Sequence, residues 1–397
     1  MSTDVAALHD YIDSLPLIST HEHHHPFPPD EPCTLEALFS HSYVGWCGVP
    51  LNGPEDRRTF LELMCGNSYF RWYERALGSL FGVDEITTGN WESLSEAAAA
   101  TLSLDVSHEV ILRDHTKCRR AVLDAYWAPG SDNGLPDLYS PTLRVNSFVY
   151  GRTLETGDHN GNNAQLLYGA CSDLDEYVAM ADRVIAEHKA RGAVALKSAL
   201  AYDRALDFRP VDKRDAARVF NDPDAGPEAD RIFGDYVFDQ LCAAAARAGL
   251  PFQNHVGLGR LGGSNPMNLQ PMIERHPETR FVLFHMGYPW IEEVCALSHN
   301  YANVYPDLCW LPSIGTTATV RALHSLIETG RDASRACWGG DAWMVTETYA
   351  ASLAMRHALK QALTEKMEAG YLTPMRARMW AERILWRNAA ELYGLAP

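Results

Sequence analysis

Residues 16–23 read PLISTHEH. The first half is apolar and β-branched, and two histidines follow, two positions apart. Side chains two apart on a strand share a face, so a strand ending here carries His21 and His23 to one point. Seven further apolar runs recur along the chain: residues 117–126 (KCRRAVLDAY), 143–150 (LRVNSFVY), 192–199 (GAVALKSA), 250–256 (LPFQNHV), 280–286 (RFVLFHM), 302–308 (ANVYPDL) and 336–341 (ACWGGD). Between them lie stretches with helical periodicity, such as 174–190, 229–248, 321–329 and 346–368. Strand runs alternating with helices predict parallel βαβ units. Eight of them in 397 residues predict an α/β fold, a (β/α)8 TIM barrel.

The first connection is too long for a simple βα loop. Residues 26–116 predict helices around 34–40, 55–64, 70–80 and 91–104, hence a helical cap inserted after the first strand. Its aromatic residues (Trp46, Phe70, Trp72, Tyr73, Phe81, Trp91) fit either the insertion's own core or a substrate wall. No repeat, linker or charge run divides the chain, so residues 1–397 read as one domain.

Composition narrows the class. Hydrophobic residues at 46% and charged residues at 21% allow a large core and exclude disorder. A formal net charge of −17 argues against nucleic-acid or anionic-membrane partners. No apolar run approaches the ~18 residues of a membrane span, and the first residues lack the basic region of a secretory signal. Nine cysteines without CxxC spacing read as reduced thiols, mostly buried, of a cytoplasmic protein.

The chemistry collects where the apolar runs stop. His21 and His23 end the first run, His255 and His285 fall at the ends of the fifth and sixth, and Asp341 ends the eighth. In a barrel these positions share the C-terminal face, where active sites form. Buried imidazoles and a carboxylate need partners, and a divalent metal with an open water position supplies one. Nitrogen and oxygen ligands accept Zn²⁺ or Mn²⁺. Lys197 ends the fourth run at the same level. It reads either as a carboxylated, anionic bridge between two metals or as an ammonium that binds an anionic substrate. Arg152, Tyr202 and Arg204 follow strands, and fit either a substrate carboxylate or a salt bridge that orders a loop. Tyr288, Trp290 and Trp343 fit an apolar wall or ordinary packing.

Two motif matches fail on context. Residues 21–25 (HEHHH) satisfy H-E-x-x-H, but that zinc-protease pattern needs a helix, whereas β-type residues precede it and Pro26, Pro28 and Pro29 follow. Residues 257–262 (GLGRLG) satisfy G-x-G-x-x-G, but SNP follows instead of a helix, so the segment reads as a loop at the barrel mouth. His24 and His25 read as second-layer donors or wall residues.

THEHH at 20–24, ALKSALAYDR at 195–204, NHVGLG at 254–259, FHMGYPW at 284–290 and WGGDAWMVTETY at 338–349 together resemble the amidohydrolase superfamily. Within it, the likeness is to the amidohydrolase-2 group and the barrel half of nodulin-like glutamine synthetase fusion proteins. The tail ILWRNAAELYGL is similar to that group's final helix. The resemblance implies that His21, His23 and Asp341 bind one metal, and that His255 and His285 bind a second, with carboxylated Lys197 between. In one-metal relatives the residue matching His285 is catalytic instead of a ligand.

The expected function is hydrolysis of an amide-like C–N bond in a small polar molecule, with Asp341 as general acid and base and His285 assisting at the carbonyl. The alternatives are a metal-dependent decarboxylase of a small aromatic acid, a lactonase, or a uronate isomerase, whose opening THEHH and insertion are similar. A catalytically dead binding module would lack ligands, and none is lacking. The partner is a small-molecule substrate, with self-association into a homo-oligomer.

Overall fold

The computed structural model describes residues 3–26, 31–104, 106–226 and 228–396. Pro28 and Pro29 therefore lie outside the described residues. Seven parallel strands follow one another around a single sheet: β1 Leu17–Glu22, β2 Cys118–Leu123, β3 Tyr139–Arg144, β4 Ala195–Ser198, β5 Phe252–Asn254, β6 Phe281–Leu283 and β7 Val304–Pro306. The eighth run closes the ring by single hydrogen bonds. Cys337 N–H donates to the Pro306 carbonyl at 3.1 Å, Thr20 N–H to that of Trp338 at 3.1 Å, and Asp341 N–H to that of His21 at 2.8 Å. The result is an α/β barrel. Helices cover its outside, among them Leu174–Ala190, Ala229–Ala248, Thr316–Thr329 and Val345–Glu368.

Strands covered on both faces read as continuous apolar runs, and β5, β6 and most of β2 are buried along their length. β1 is buried throughout although Ser19, Thr20, His21 and Glu22 are polar. Its burial is tolerable only if those groups find partners, and one of them, His21, belongs to the site. Because residues 17–22 are a strand, the H-E-x-x-H match has no helix to act from.

The third run departs from expectation. The strand is Tyr139–Arg144, and Asn146–Val149, expected as its continuation, is a helical turn. The Asn146 amide explains the turn: Oδ1 accepts Ala199 N–H at 2.8 Å and Nδ2 donates to Asp203 at 2.7 Å. Pro141 reads as a breaker, yet the ladder uses only its carbonyl, which accepts Val194 N–H at 3.0 Å. Arg144, not a later arginine, therefore closes β3.

Between β1 and β2 the chain forms helices over Leu35–Ser40, Arg57–Met64, Ser68–Phe81 and Trp91–Leu102. Thr34 and Asn67 cap two of them, accepting the N–H groups of Ala37 and Phe70 at 3.2 Å. Phe39, Phe60, Phe70, Tyr73 and Trp91 pack ring against ring at their centre. Trp46 does not join them and is 57% exposed. All nine cysteines are free thiols, and six are buried.

Candidate metal centre and active site

β1 places His21 and His23 on one face, with ring centroids 4.7 Å apart. His21 is fully buried, and neither ring nitrogen has a hydrogen-bond partner among the described residues. Its Nε2 lies 3.5 Å from Asp124 Oδ2 and 3.7 Å from Asp341 Oδ1. Burial holds its pKa well below the usual imidazole range, with Lys197 acting in the same direction. His23 Nδ1 sits 2.9 Å from the Asp124 backbone carbonyl. A carbonyl only accepts, so Nδ1 carries a proton, and Nε2 is turned toward Asp341 Oδ1 at 3.2 Å.

The other half of the site repeats this logic. His285 Nδ1 donates to the Cys309 carbonyl at 2.8 Å, and His255 Nε2 donates to the Leu258 carbonyl. In neutral imidazoles this leaves His285 Nε2 and His255 Nδ1 with lone pairs facing each other at 2.9 Å. Burial keeps both rings neutral, holding each pKa well below its ordinary value. Asp341 Oδ2 is 3.8 Å from His285 Nδ1, so its carboxylate lies between the two halves. His21, His23 and Asp124 form one set with ligand atoms within 4.8 Å of one another, and His285, Cys309 and Asp341 form another. Nitrogens on His21 without hydrogen bonds, lone pairs opposed between His255 and His285, and carboxylates beside both are the donor chemistry a divalent cation satisfies. The residues fit one.

Lys197 closes β4 beside them. Its Nζ stands 3.9 Å from the Phe284 ring centroid, and burial pulls its pKa down to about 8 against the attraction of Asp341 and Asp124. The strand ends also carry backbone strain: His285, Met286, Trp310 and Asp341 all have positive φ, 60°, 48°, 64° and 56°. Such conformations cost ~1–3 kcal/mol each and persist only where the surroundings enforce them.

A cavity of about 230 Å³ opens onto this centre. His23, Lys197, His255 and Asp341 form its polar floor, and Tyr126, Tyr202 and Trp343 line it, with Tyr43 and Trp46 from the β1–β2 connection. Tyr202 packs 4.4 Å from the His255 ring and Trp343 5.0 Å from that of His23.

Three expected contacts are elsewhere. Arg152 donates to Asp230 and to the Val219 and Asp222 carbonyls. Arg204 pairs with Asp235 and lies over Phe208. Both do the loop-ordering work that competed with substrate binding. Tyr288 is outside the lining, its backbone carbonyl pressed against Gly257. His24 bridges Tyr139 and Thr348 at 2.7 Å each, and His25 stacks on Trp127 at 4.0 Å.

The ion pair Asp124–Arg144 at the site is not among the expected residues. Asp124, directly after β2, accepts Arg144 Nε and Nη2 on one oxygen, at 2.9 and 2.6 Å. Arg144 also lies 4.3 Å over the Tyr126 ring and lines the cavity. The signal for Asp124 is present in the sequence, an acid near the end of an otherwise apolar run. Arg144 is hidden by the displaced start of β3.

An α/β barrel with buried histidines and aspartates converging at its strand ends is the architecture of a metal-dependent, hydrolase-like enzyme. Residues 153–395 match the family model Amidohydro_2, described as amidohydrolase, and the chain belongs to that family. His21, His23 and Asp124 precede the matched range and are brought to it by the fold. Among curated proteins, fluG of Emericella nidulans is 31% identical over 222 residues, 51% of this chain and 26% of that protein. The match thus spans about a quarter of that relative. Solved structures share the fold over nearly the whole chain. Uronate isomerase of Thermotoga maritima superposes with a TM-score of 0.78 at 15% identity, covering 99% of this chain and 98% of that one. Glucuronate isomerase of Caulobacter crescentus gives 0.75 at 15%, covering 100% and 95%. A protein assigned as a metal-dependent hydrolase from Lactobacillus casei gives 0.72 at 17%, covering 98% and 97%. The family implies a divalent metal, and the two His/Asp groups are able to bind one.

Proposed function

We propose that the chain is a metal-dependent hydrolase that cleaves an amide-like C–N bond in a small polar molecule bearing a carboxylate. The observation that carries this reading is the Asp341 carboxylate, set between His21 and His23 on one side and His285 on the other, over a small cavity. His21, His23, Asp124 and Asp341 would hold one Zn²⁺ or Mn²⁺; His255 and His285 would hold a second, with Lys197 between. Bound there, a divalent metal supplies Lewis acidity and lowers the pKa of water to about 7.

The chain's own groups do the rest. Asp341 accepts the proton released as water attacks and returns it to the leaving nitrogen. Lys197, with its pKa near 8, is partly the neutral amine at neutral pH, the form that adds CO₂ to become a carbamate. Arg144 holds Asp124 through Nε and Nη2, and its Nη1, for which no protein partner is found among the described residues, suits a substrate carboxylate. Tyr43, Trp46 and Trp343 limit water access, the role we give the helical segment 26–116 of a single 1–397 domain. No helix among the described residues is long and apolar enough to cross a membrane. We infer a cytoplasmic homo-oligomer acting on a small molecule, without nucleic-acid or membrane partners.

A second reading is non-hydrolytic: decarboxylation or isomerisation of a small acid at a one-metal site. The placement of Lys197 Nζ over the Phe284 face favours it, because that contact suits an ammonium. Screening the metal-loaded enzyme on N-acyl amino acids, carboxylated phenols and uronates separates the two. Release of amine or ammonia supports the hydrolase, while CO₂ or an isomerised sugar acid refutes it in favour of the second.

A further inference from the structure

Glu22 points away from His21 and His23, as its strand position requires, and is fully buried. Its carboxylate accepts N–H groups from both neighbours of Asp341: Gly340 at 3.2 Å on Oε1 and Ala342 at 2.9 Å on Oε2. The Ser19 and Thr348 hydroxyls add bonds of 2.6 and 2.9 Å. Asp341 N–H donates to the His21 carbonyl at 2.8 Å, and Trp343 N–H to Glu347 at 3.0 Å. Every backbone donor from residue 340 to 343 is thus held, around an aspartate whose φ is 56°.

The approach is close enough to select glycine. A Cβ on Gly340 would lie against Glu22 Oε1 and 2.9 Å from Oε2. Behind Glu22 a chain of hydrogen bonds links His108 Nε2 to the Tyr139 hydroxyl, that hydroxyl to His24 Nδ1, and His24 Nε2 to the Thr348 hydroxyl, which donates to Glu22. Hydrogen bonds in such a chain reinforce one another.

We propose that Glu22 is a positioning residue: its carboxylate, bonded on both sides of Asp341, holds the left-handed turn that aims the Asp341 carboxylate at His21, His23 and His285. This rests on Asp341 being a metal ligand, as read above. Glu22 touches no reacting atom and acts through Asp341 alone.

The test is Zn²⁺ affinity of the full chain by chelator competition, together with the visible absorption of the Co²⁺-loaded protein. Glu22→Gln should weaken Zn²⁺ binding by ~10–100-fold, the usual effect of losing a group behind a ligand, and Asp341→Asn, which alters the ligand itself, by at least as much. The double variant should bind no more weakly than Asp341→Asn, and Glu22→Gln should alter the Co²⁺ spectrum. Thr348→Val, which keeps the packing and removes one donor to Glu22, should weaken binding in the same direction; it decides the matter if Glu22→Gln does not fold. Parent-like affinity and spectra in Glu22→Gln and Thr348→Val, beside a weakened Asp341→Asn, overturn the proposal alone. Losses that multiply in the double variant also overturn it. Parent-like binding by Asp341→Asn instead overturns the metal role of Asp341, and this inference with it.

Discussion

His255 and His285, at the ends of β5 and β6, set Nδ1 and Nε2 2.9 Å apart, and each spends its only proton on a backbone carbonyl. The pair opposes two lone pairs, and a cation relieves that opposition. Zn²⁺ at ~1,000 times its Kd should stabilise the parent by about 4 kcal/mol, seen as a raised melting temperature. In His285→Ala that zinc-dependent rise should shrink, while the metal-free melting temperature stays level or increases. An undiminished rise would remove His285 from the metal site.

Arg152 holds Asp230 and two carbonyls, away from the cavity. Arg152→Ala should therefore lower stability by about 2 kcal/mol, the scale of hydrogen bonds to a charged group, with Zn²⁺ affinity unchanged. Denaturant unfolding and chelator competition measure the two separately. Undiminished stability would show that these bonds do not order the loop and would return Arg152 to its expected role as a substrate contact.

Asp124 and Arg144 form a buried pair at the ends of adjacent strands. Removing one partner leaves a charge without compensation, so Asp124→Ala should cost ~3–5 kcal/mol. Replacing both, as Asp124→Ala with Arg144→Met, should recover part of that loss. A double variant as unstable as the sum of the singles would show that the two do not act as a pair.

Glu347 accepts the N–H groups of Tyr43 and Trp343, and burial nevertheless pushes its pKa up to about 8. A folded-state pKa above the unfolded value of about 4 means that the folded chain holds a proton the unfolded chain releases. The stability this contributes is complete below pH ~4 and lost as the pH rises through 8. Melting temperatures of the parent should thus fall between pH 6 and 9, and those of Glu347→Gln should fall less. Parallel curves would show that Glu347 is ionised throughout.

What could be read from the sequence followed from period and position. His21, His23, Lys197, His255, His285 and Asp341 stand at or beside the ends of apolar runs, and a barrel brings such ends together whatever the loops do. Arg152 and Arg204 were expected at the mouth because they follow strands closely, but proximity in sequence does not fix where a loop turns. Asn146 folds the chain back before Arg152 can reach the cavity. Arg144 was obscured because Pro141 lies inside its strand, while the more strand-like VNSFVY is a turn. Glu22 was set aside with the zinc-protease motif; its role depends on Gly340 and Ala342, more than 300 residues away, a contact that no local pattern encodes.

The central claim is that this barrel is a metal enzyme, and its most direct test is metal content per chain by elemental mass spectrometry, after expression with zinc and manganese supplied. The account predicts two equivalents in the parent and at most one in His21→Ala, since the His21 ring nitrogens have no hydrogen-bond partner among the described residues. A single equivalent would favour the one-metal, non-hydrolytic reading. A parent without a stoichiometric divalent metal, or a His21→Ala variant that retains the full complement, would contradict the account.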